Sequence, residues 1–414
     1  MSELDWKRRA RRQLSRTLRP MEAWLRKRLW RATDRLAMLT AASPEPDRVL
    51  LVRLDNIGDF VLWLDAARAI AQHYRERGKH VTLLANAVWS QWATEFDFFD
   101  EVVGVQEGRF RSDLRYRFRM GRVVRRLRAG TAVQPAATRV LALGDSLLRL
   151  SGATIRVGPE GSFDSSAQGD RAVGDRWYTT LLPVDAGIHN EMRRNAAFVR
   201  ALTGKEYKAR VADLREQTDV RLASSLSAEL EGRPYFVLFP GATFAGRLWP
   251  VERYVELANR LHKETGWIGV VSGGPGEAAQ AARLCADVGF PILNWVGRTK
   301  LTQLAGVLAH AELLVANETS AVHIAAAVGV PSVCLLGGGH YGRFVPYDVE
   351  ERDERPLPAV AVQHMPCFHC DWKCIYHPPK GSPVPCIEEI STAAAWSAVE
   401  RVLASVPVSA FPVL

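Results

Sequence analysis

Two polar loops in the second half of the sequence carry residue types that bind phosphate groups. The first contains Thr243 and Arg247, and the second contains Glu318, Thr319 and His323. A guanidinium stays charged and can bond two oxygens at once, while hydroxyls and free backbone N–H groups at a helix start donate to other oxygens. Together the two loops predict a binding site for a diphosphate.

Both loops join a predicted strand to a predicted helix. Residues 313–316 and 331–336 are apolar runs typical of strands buried on both faces, and a helix of small residues separates them. The apolar run 235–240 precedes the first loop in the same way. Parallel strands end at one edge of a sheet, which is where open α/β sheets bind ligands. The further binding positions predicted at this edge are Gly241, Ala242, Gly273, Gly297 and Ser320.

The alternative is that both loops are purely structural. Thr319 or Ser320 could be only an N-cap with His323 packed in the core, and Arg247 could be a surface residue after a capped turn. Two polar loops at one edge of one sheet are harder to explain by capping alone. We therefore favour the ligand site.

Asp59 is the candidate catalytic residue. It ends the loop DNIGD, which follows the predicted strand 48–54 and precedes a helix that Gly78 terminates. A strand at 80–86 completes a βαβ unit, so a parallel sheet is expected. Capping of the helix is the alternative role of Asp59.

Composition and charge narrow the class of protein. The chain of 414 residues is 47% hydrophobic and 24% charged, enough for two domains. No apolar run reaches the roughly 20 residues that span a membrane, and no signal peptide is evident, so a cytoplasmic location is expected. The net charge of +9 is concentrated in residues 1–35 and 109–128, each with a formal +8. The remainder is acidic, which argues against a nucleic-acid partner.

The two basic segments predict a membrane-facing surface. From Pro20 onward, apolar residues recur at helical spacing between Arg and Lys, which is typical of a helix lying on anionic lipid. These apolar residues are Met21, Trp24, Leu25, Leu29, Ala32, Leu36 and Leu39. A helix docked on the protein's own body is the alternative. The arginines of residues 108–128, including Arg117, could bind phosphates or simply face water.

The other predicted elements follow from apolar runs and turn residues. Residues 43–46 are predicted as a linker, 140–143 as a strand, 158–176 as a loop, 189–203 as a helix, 205–233 as a bridge, 235–310 as alternating strands and helices, and 387–404 as a closing helix. The predicted domains are a basic extension (1–47), an acceptor domain (48–215), a donor domain (232–390) and a tail (391–414).

Several long segments, in this order, carry a family resemblance. They are RLDNIGDFVLWLDAARAI, FPGATFAGRLWPVERYVELANRL, VVSGGPGE, WVGRTKLTQLAGVLAHAELLVANETSAVHIAAAVGVPSVCLLG and CFHCDWKCIYHPPKGSPVPCIEEIS. With them the chain resembles glycosyltransferase family 9, the lipopolysaccharide heptosyltransferase family. The resemblance implies the α/β fold named GT-B, with two Rossmann-like domains and a cleft between them.

The resemblance also assigns roles to residues. The family's catalytic Asp falls on Asp59 and its phosphate-contacting Thr on Thr243. Its Lys before Trp-Pro is replaced by Arg247. Its Asp-Thr-Gly-x-x-His motif falls on Glu318, Thr319, Ser320 and His323, with Glu and Ser replacing Asp and Gly. These changes keep the donor site but put the donor sugar in question.

The implied activity is an inverting, metal-independent transfer of a sugar from a nucleotide sugar. ADP-heptose is the family's usual donor, and an anionic, lipid-linked lipopolysaccharide core or other cell-envelope glycan is the implied acceptor. No cofactor is required, and the enzyme would be peripheral on the inner membrane. A GT-B sugar-nucleotide epimerase is the first alternative. A non-enzymatic membrane- or nucleic-acid-binding protein is the second.

Four cysteines near the end form the pattern C-x2-C-x3-C-x11-C. They are Cys367, Cys370, Cys374 and Cys386. Four thiolates at this spacing could hold a structural zinc ion. A reduced, cysteine-rich loop without metal is the alternative.

Overall fold

The fold was analysed in a computed structural model, which describes residues 22, 24–41, 43–160, 168–185, 187–215 and 221–405. The described residues form two compact units. The first contains those up to Leu54, Ala71–Thr94 and Phe98–Val184, and the second contains Asp55–Ile70, Glu95–Asp97 and those from Asp185 onward.

The first unit is built on a six-stranded sheet with the order β3-β2-β1-β4-β5-β6. All its strand pairs are parallel. The strands are β1 (Glu45–Arg53), β2 (His80–Asn86), β3 (Glu101–Val105), β4 (Ala129–Val133), β5 (Ile155–Pro159) and β6 (Thr180–Leu182). The helices that precede β6 in the chain are α1 (24–38), α2 (Ile57–Arg75), α3 (Ser90–Ala93), α4 (Glu107–Ser112), α5 (Leu114–Arg126), α6 (Ser146–Leu150) and α7 (Gln168–Asp175). Helix α2 belongs to the second unit as far as Ile70.

Helix α1 docks on the first unit through one face and leaves its apolar stripe exposed. Trp30, Asp34 and Ala37 are buried. On the opposite face, at helical spacing, Leu25 and Leu29 are exposed, as are Trp24, Leu36 and Leu39. The docked helix that the sequence offered as an alternative is therefore present, and contact of the exposed face with a membrane stays a prediction. The part of the predicted membrane surface in residues 1–21 lies outside the described residues.

A buried ion pair fixes the docked face of α1. Arg117 on α5 donates to Asp34 at 2.6 and 2.7 Å, and the Arg117 side chain is only 1% exposed. Arg125 is buried as well. These two arginines are structural, so neither alternative considered for this segment, phosphate binding or a water-facing helix, holds for Arg117.

Three local predictions in the first unit need correction. Residues 141–145 form a π-helical turn instead of a strand, because a short apolar run does not distinguish strand from buried helix. Strand β1 begins at Glu45, within the predicted linker, where the Glu45 backbone N–H donates to the Arg128 carbonyl oxygen. The predicted loop 158–176 contains α7, and its residues 161–167 lie outside the described part.

The second unit contains another fully parallel, six-stranded sheet, with the order β12-β11-β10-β7-β8-β9. Its strands are β7 (Tyr235–Phe239), β8 (Ile268–Val271), β9 (Ile292–Asn294), β10 (Leu313–Asn317), β11 (Ser332–Leu335) and β12 (Ala359–Ala361). Its helices after α2 are α8 (Glu191–Thr203), α9 (Ser224–Leu230), α10 (Val251–Thr265), α11 (Ala278–Asp287), α12 (Leu301–Ala309), α13 (Ser320–Val328), α14 (Pro385–Glu388) and α15 (Thr392–Ala404).

The strand order explains why two loops of the second unit can form one site. Chain connections reverse direction between β7 and β10, which are hydrogen-bonded neighbours. Such a switch point leaves an open crevice at the carboxyl ends of the two strands. Residues 241–247 follow β7 and residues 318–323 follow β10. The predicted fold class, two Rossmann-like domains of the GT-B type, is confirmed.

Among the described helices, none combines the length and apolar character needed to cross a membrane.

Candidate functional site

Asn317, at the end of β10, ties the two loops together. Its side-chain amide donates to the carbonyl oxygen of Pro240 at 2.5 Å, and its side-chain oxygen accepts from the Trp249 backbone N–H at 3.2 Å and the Tyr254 hydroxyl at 3.1 Å. Because Asn317 is fully buried, these bonds fix both loops in one arrangement.

Arg247 lies in a short 3-10 turn, Ala245–Arg247, and points toward the second loop. Its Nη1 donates to the backbone carbonyl oxygen of Glu318 at 3.4 Å, and its Nε lies 3.8 Å from the Glu318 carboxylate. That Nε is buried and has no hydrogen-bond partner among the described residues. A donor left in this state in a protein interior is available to a ligand.

Glu318 carries a buried carboxyl group without a hydrogen bond. It is 3% exposed, and neither carboxyl oxygen accepts a hydrogen bond from the described residues, although Arg247 Nε lies 3.8 Å away. Burial raises the pKa of Glu318 to about 7, while the charges of Arg247 and Arg343 lower it. Because a buried carboxyl without partners is costly, it is expected to bind donors of a ligand, such as sugar hydroxyls.

Thr319 and Ser320 begin α13. Thr319 holds the N-cap position with extended backbone, but its side chain makes no capping hydrogen bond. Its buried Oγ1 has no partner among the described residues either. The capping interpretation therefore does not account for the hydroxyl of Thr319. The N–H groups at the helix start and this hydroxyl are suited to an anion.

His323 is packed within the second unit. Its ring stacks on Tyr347, and its Nδ1 lies 2.7 Å from the Tyr347 hydroxyl. Burial lowers the pKa of His323 to about 3, so the imidazole is neutral at physiological pH. The described contacts of His323 are with Tyr347, and its role toward a donor stays a prediction.

Asp59 lies in the first turn of α2, next to a residue that contacts α13. A Cβ atom at Gly58 would come within 2.9 Å of His323 Cδ2 and 3.7 Å of Ser320 Cα. The absence of a side chain at Gly58 therefore permits close approach of the α2 start to the α13 start. Asp59 itself is half-buried.

Two of the predicted glycines lie against a carboxylate that the sequence analysis missed, that of Glu277, and a third is hydrogen-bonded to one of them. A Cβ atom at Gly241 would lie 1.8 Å from Glu277 Oε1, and one at Gly273 would lie 2.0 Å from Glu277 Oε2. The Gly297 N–H donates to the Gly273 carbonyl oxygen at 2.9 Å. Burial raises the pKa of Glu277. Glu277 is the last residue of the segment SGGPGE, so the sequence does place a carboxylate near the predicted glycine Gly273.

The remaining predicted residues lie on the first loop. Ala242 is half-buried and Thr243 is exposed. Arg343 was also missed: its charge acts on Glu318, and its Nε lies 3.6 Å from the carboxylate of Glu191. No sequence signal connects Arg343 to the site, because the connection depends on tertiary packing.

The four cysteines line one small cavity of about 10 Å³, which Met365, Trp372 and Val384 share. All four are free thiols. Within the described chain, however, no three His, Cys, Asp or Glu side chains are grouped as metal ligands. The side-chain arrangement therefore does not fit a ready-made zinc site, and zinc binding stays a prediction.

A larger cavity, of about 620 Å³, lies elsewhere in the second unit, at the C-terminal end of α13. Its arginines pair with its own carboxylates, for example Arg210 Nε with Asp65 at 2.9 Å. This cavity is separate from the candidate site because Gly329, on its wall, lies beyond the far end of α13.

Comparison with known families identifies the family of the chain. The model of glycosyltransferase family 9 (heptosyltransferase) matches residues 147–374, more than half of the chain. The chain belongs to glycosyltransferase family 9. Within this family it is similar to lipopolysaccharide heptosyltransferase 1 of Pseudomonas aeruginosa, with 29% identity over 321 residues, which are 72% of this chain and 82% of that protein.

Other relatives match over shorter or more divergent stretches. Lipopolysaccharide heptosyltransferase 2 of Salmonella typhimurium is 32% identical over 118 residues, 27% of this chain and 33% of that protein. The family 9 structure from Veillonella parvula has a TM-score of 0.63 at 17% identity and covers 88% of this chain and 99% of its own. E. coli heptosyltransferase WaaC, solved with ADP-2-deoxy-2-fluoro heptose, has a TM-score of 0.62 at 18% identity and covers 86% of this chain and 99% of its own. These structures share the fold with this chain.

Proposed function

We propose that this family 9 glycosyltransferase moves a heptose from ADP-heptose to a hydroxyl of a lipopolysaccharide core or related cell-envelope glycan, with inversion. The observation that carries the proposal is a set of buried polar groups at the sheet's switch point, the Glu318 carboxyl, Thr319 Oγ1 and Arg247 Nε, none of which has a hydrogen-bond partner among the described residues. Such groups fit a ligand with both anionic oxygens and hydroxyl donors, which is a description of a nucleotide sugar. The names of the relatives support heptose as the sugar.

The proposed mechanism is a single displacement. Asp59 acts as the base that removes the proton from the acceptor hydroxyl as this attacks the anomeric carbon. The sugar–phosphate bond breaks on the opposite side through an oxocarbenium-like state. Negative charge then grows on the leaving diphosphate, and Arg247 with the N–H groups of Thr319 and Ser320 stabilises it. Because these groups supply that stabilisation, we propose that the transfer needs no metal ion.

The remaining contacts would hold the rest of the donor. The Glu277 carboxylate, between the Gly241 and Gly273 loops, is suited to accept from hydroxyl groups of the nucleotide. Glu318 accepts from hydroxyls of the transferred sugar. Its side chain is one methylene longer than the family's Asp, so the donor screen below is directed at the identity of the transferred sugar.

A donor screen followed by a single variant tests this function. ADP-, UDP- and GDP-sugars are compared for thermal stabilisation of the purified protein, and transfer to a heptose-deficient lipid-linked core is then assayed. We expect ADP-heptose to stabilise the protein, and Asp59→Ala to lose turnover by about 10²- to 10⁴-fold while ADP still binds. Unchanged kcat in Asp59→Ala would remove Asp59 from the mechanism. Conversion of the nucleotide sugar without acceptor would indicate an epimerase instead.

We also propose that the enzyme works at the cytoplasmic face of the inner membrane. The support is the exposed face of α1, where Trp24, Leu25, Leu29 and Leu36 project away from the docked face. An apolar stripe flanked by arginines is suited to an anionic lipid surface that also carries the acceptor.

A further inference from the structure

The cysteine-rich segment reaches the donor site through Trp372. The Arg247 guanidinium carbon lies 4.7 Å from the centre of the Trp372 ring. A guanidinium over an indole face is attracted by the ring's electrons, and the interaction strengthens where water is excluded. The other described contacts of the Arg247 guanidinium are both long: a hydrogen bond to the Glu318 carbonyl oxygen at 3.4 Å and an ion pair with the Glu318 carboxylate at 3.8 Å. The indole therefore supplies a further support for the guanidinium.

Trp372 is itself held in a defined position. Its Nε1–H donates to Nδ1 of His340 at 3.1 Å, and Nε2 of His340 lies 2.9 Å from Asp371 Oδ1. An indole N–H can only donate, so Nδ1 of His340 must accept and the imidazole proton must be on Nε2. The order of donation is therefore Trp372 to His340 to Asp371, with every member satisfied.

The backbone around Trp372 is strained to maintain this position. Asp371 and Trp372 have φ values of 51° and 58°, in the left-handed region that non-glycine residues rarely adopt. A Cβ atom at Gly339 would lie 2.4 Å from Trp372 Cδ2, so the ring fits only against a glycine there. The Asp371 N–H donates to the Gly339 carbonyl oxygen at 3.1 Å. Strain of this kind persists where surrounding contacts enforce it, and it is concentrated at functional sites.

We infer that Trp372 is a positioning residue for diphosphate binding: it holds the Arg247 guanidinium in the orientation that meets the leaving group. The inference rests on the proposed role of Arg247. It also assigns a purpose to the segment between Cys370 and Cys374, which forms a wall of the nucleotide site whether or not the thiols bind metal.

A double-mutant cycle tests the inference, with ADP affinity measured by calorimetry and KM and kcat by transfer assay. Trp372→Ala should weaken ADP binding and raise the donor KM by about tenfold, with a smaller change in kcat. Trp372→Phe keeps a ring face and should recover most of this loss. In the Arg247→Ala background, Trp372→Ala should cost nothing further, because its effect passes through Arg247.

Trp396→Ala is the matched control. Trp396 on α15 also stacks with an arginine, Arg260, at 4.0 Å, and its indole N–H donates to Glu400 on the same helix at 2.7 Å. This variant should bind ADP like the wild type, and thermal unfolding checks that all variants fold.

Equal losses from Trp372→Ala with and without Arg247 would overturn the inference, as would unchanged ADP affinity in Trp372→Ala. If Arg247→Ala itself binds ADP normally, the proposed function of the site fails instead. The two failures are therefore distinguishable.

Discussion

At the scale of single residues, Glu318 makes the stability of the ligand-free protein depend on pH. Its pKa is about 7 in the folded protein, against an ordinary value of 4.5. Between these values the carboxyl is ionised in the unfolded chain but protonated in the folded one. The folded state then binds more protons, so the free energy of unfolding falls as pH rises through this window.

Replacement of Glu318 by Gln should remove this dependence. We expect Glu318→Gln to be about as stable as the wild type near pH 5 and more stable by up to roughly 3 kcal/mol at pH 8. Urea unfolding at both pH values measures the difference. His323, whose pKa is lowered, also makes the free energy of unfolding depend on pH, but this contribution is the same in both proteins and cancels in the difference. A variant less stable than the wild type at pH 8 would show that the nearby arginines outweigh burial.

The roles of individual residues were predictable only where the residues belong to a local sequence motif. The loops containing Arg247 and Thr319 were recognisable because each follows an apolar run and precedes a helix. Trp372 and Arg343 were not, since their contacts with the site join distant parts of the chain. Helical spacing placed His323 one turn inside α13, but its hydrogen bond to Tyr347 could not be predicted from that spacing.

At the scale of elements, the start of α2 depends on the glycine before Asp59. Gly58→Ala would place a Cβ atom 2.9 Å from His323 Cδ2, so the turn carrying Asp59 or the imidazole must move. We expect kcat to fall by about 10- to 100-fold, with ADP affinity retained and a loss of about 1–3 kcal/mol in stability.

Gly108→Ala is the control for this prediction. Gly108 lies in α4, and a Cβ atom there would meet nothing within 4 Å. Its replacement should leave kcat unchanged and stabilise the helix slightly. Equal kcat values for Gly58→Ala and the wild type would show that the α2 start tolerates displacement.

The second sheet was predictable from sequence to a degree that the first was not. Its four central strands, β7, β8, β10 and β11, are buried apolar runs, and several of its helices are bounded by Pro or Gly, so pattern and structure coincide there. The short strands β9 and β12 are only partly buried. In the first unit, the apolar run 140–143 was predicted as a strand but lies largely in a π-helical turn. The ion pair of Arg117 with Asp34 was not predictable, because each residue belongs to a segment with many charged residues. A charge run alone does not reveal which arginine has a buried partner.

At the scale of the whole molecule, the basic segments and the exposed stripe of α1 should act together at a lipid surface. We expect the protein to sediment with vesicles containing anionic lipid and to dissociate as salt concentration rises. Replacement of Leu25, Leu29 and Leu36 by Ser should reduce binding by about 10-fold or more while leaving stability nearly unchanged, because all three are exposed.

Val88→Ser is the control for the vesicle experiment. Val88 is an exposed apolar residue of the same unit and lies outside α1. Its loss should not alter sedimentation. Equal binding by the triple variant and the wild type would assign the membrane contact to another surface.

Both sheets consist only of parallel pairs, so each described strand reaches its neighbour by a crossover and never by a hairpin. Contacts of this kind form only after long stretches of chain have been brought together, which makes folding slow and leaves apolar strands uncovered meanwhile. Recovery from denaturant should consequently be poor and worsen with protein concentration, and native expression at low temperature is the better source of active enzyme.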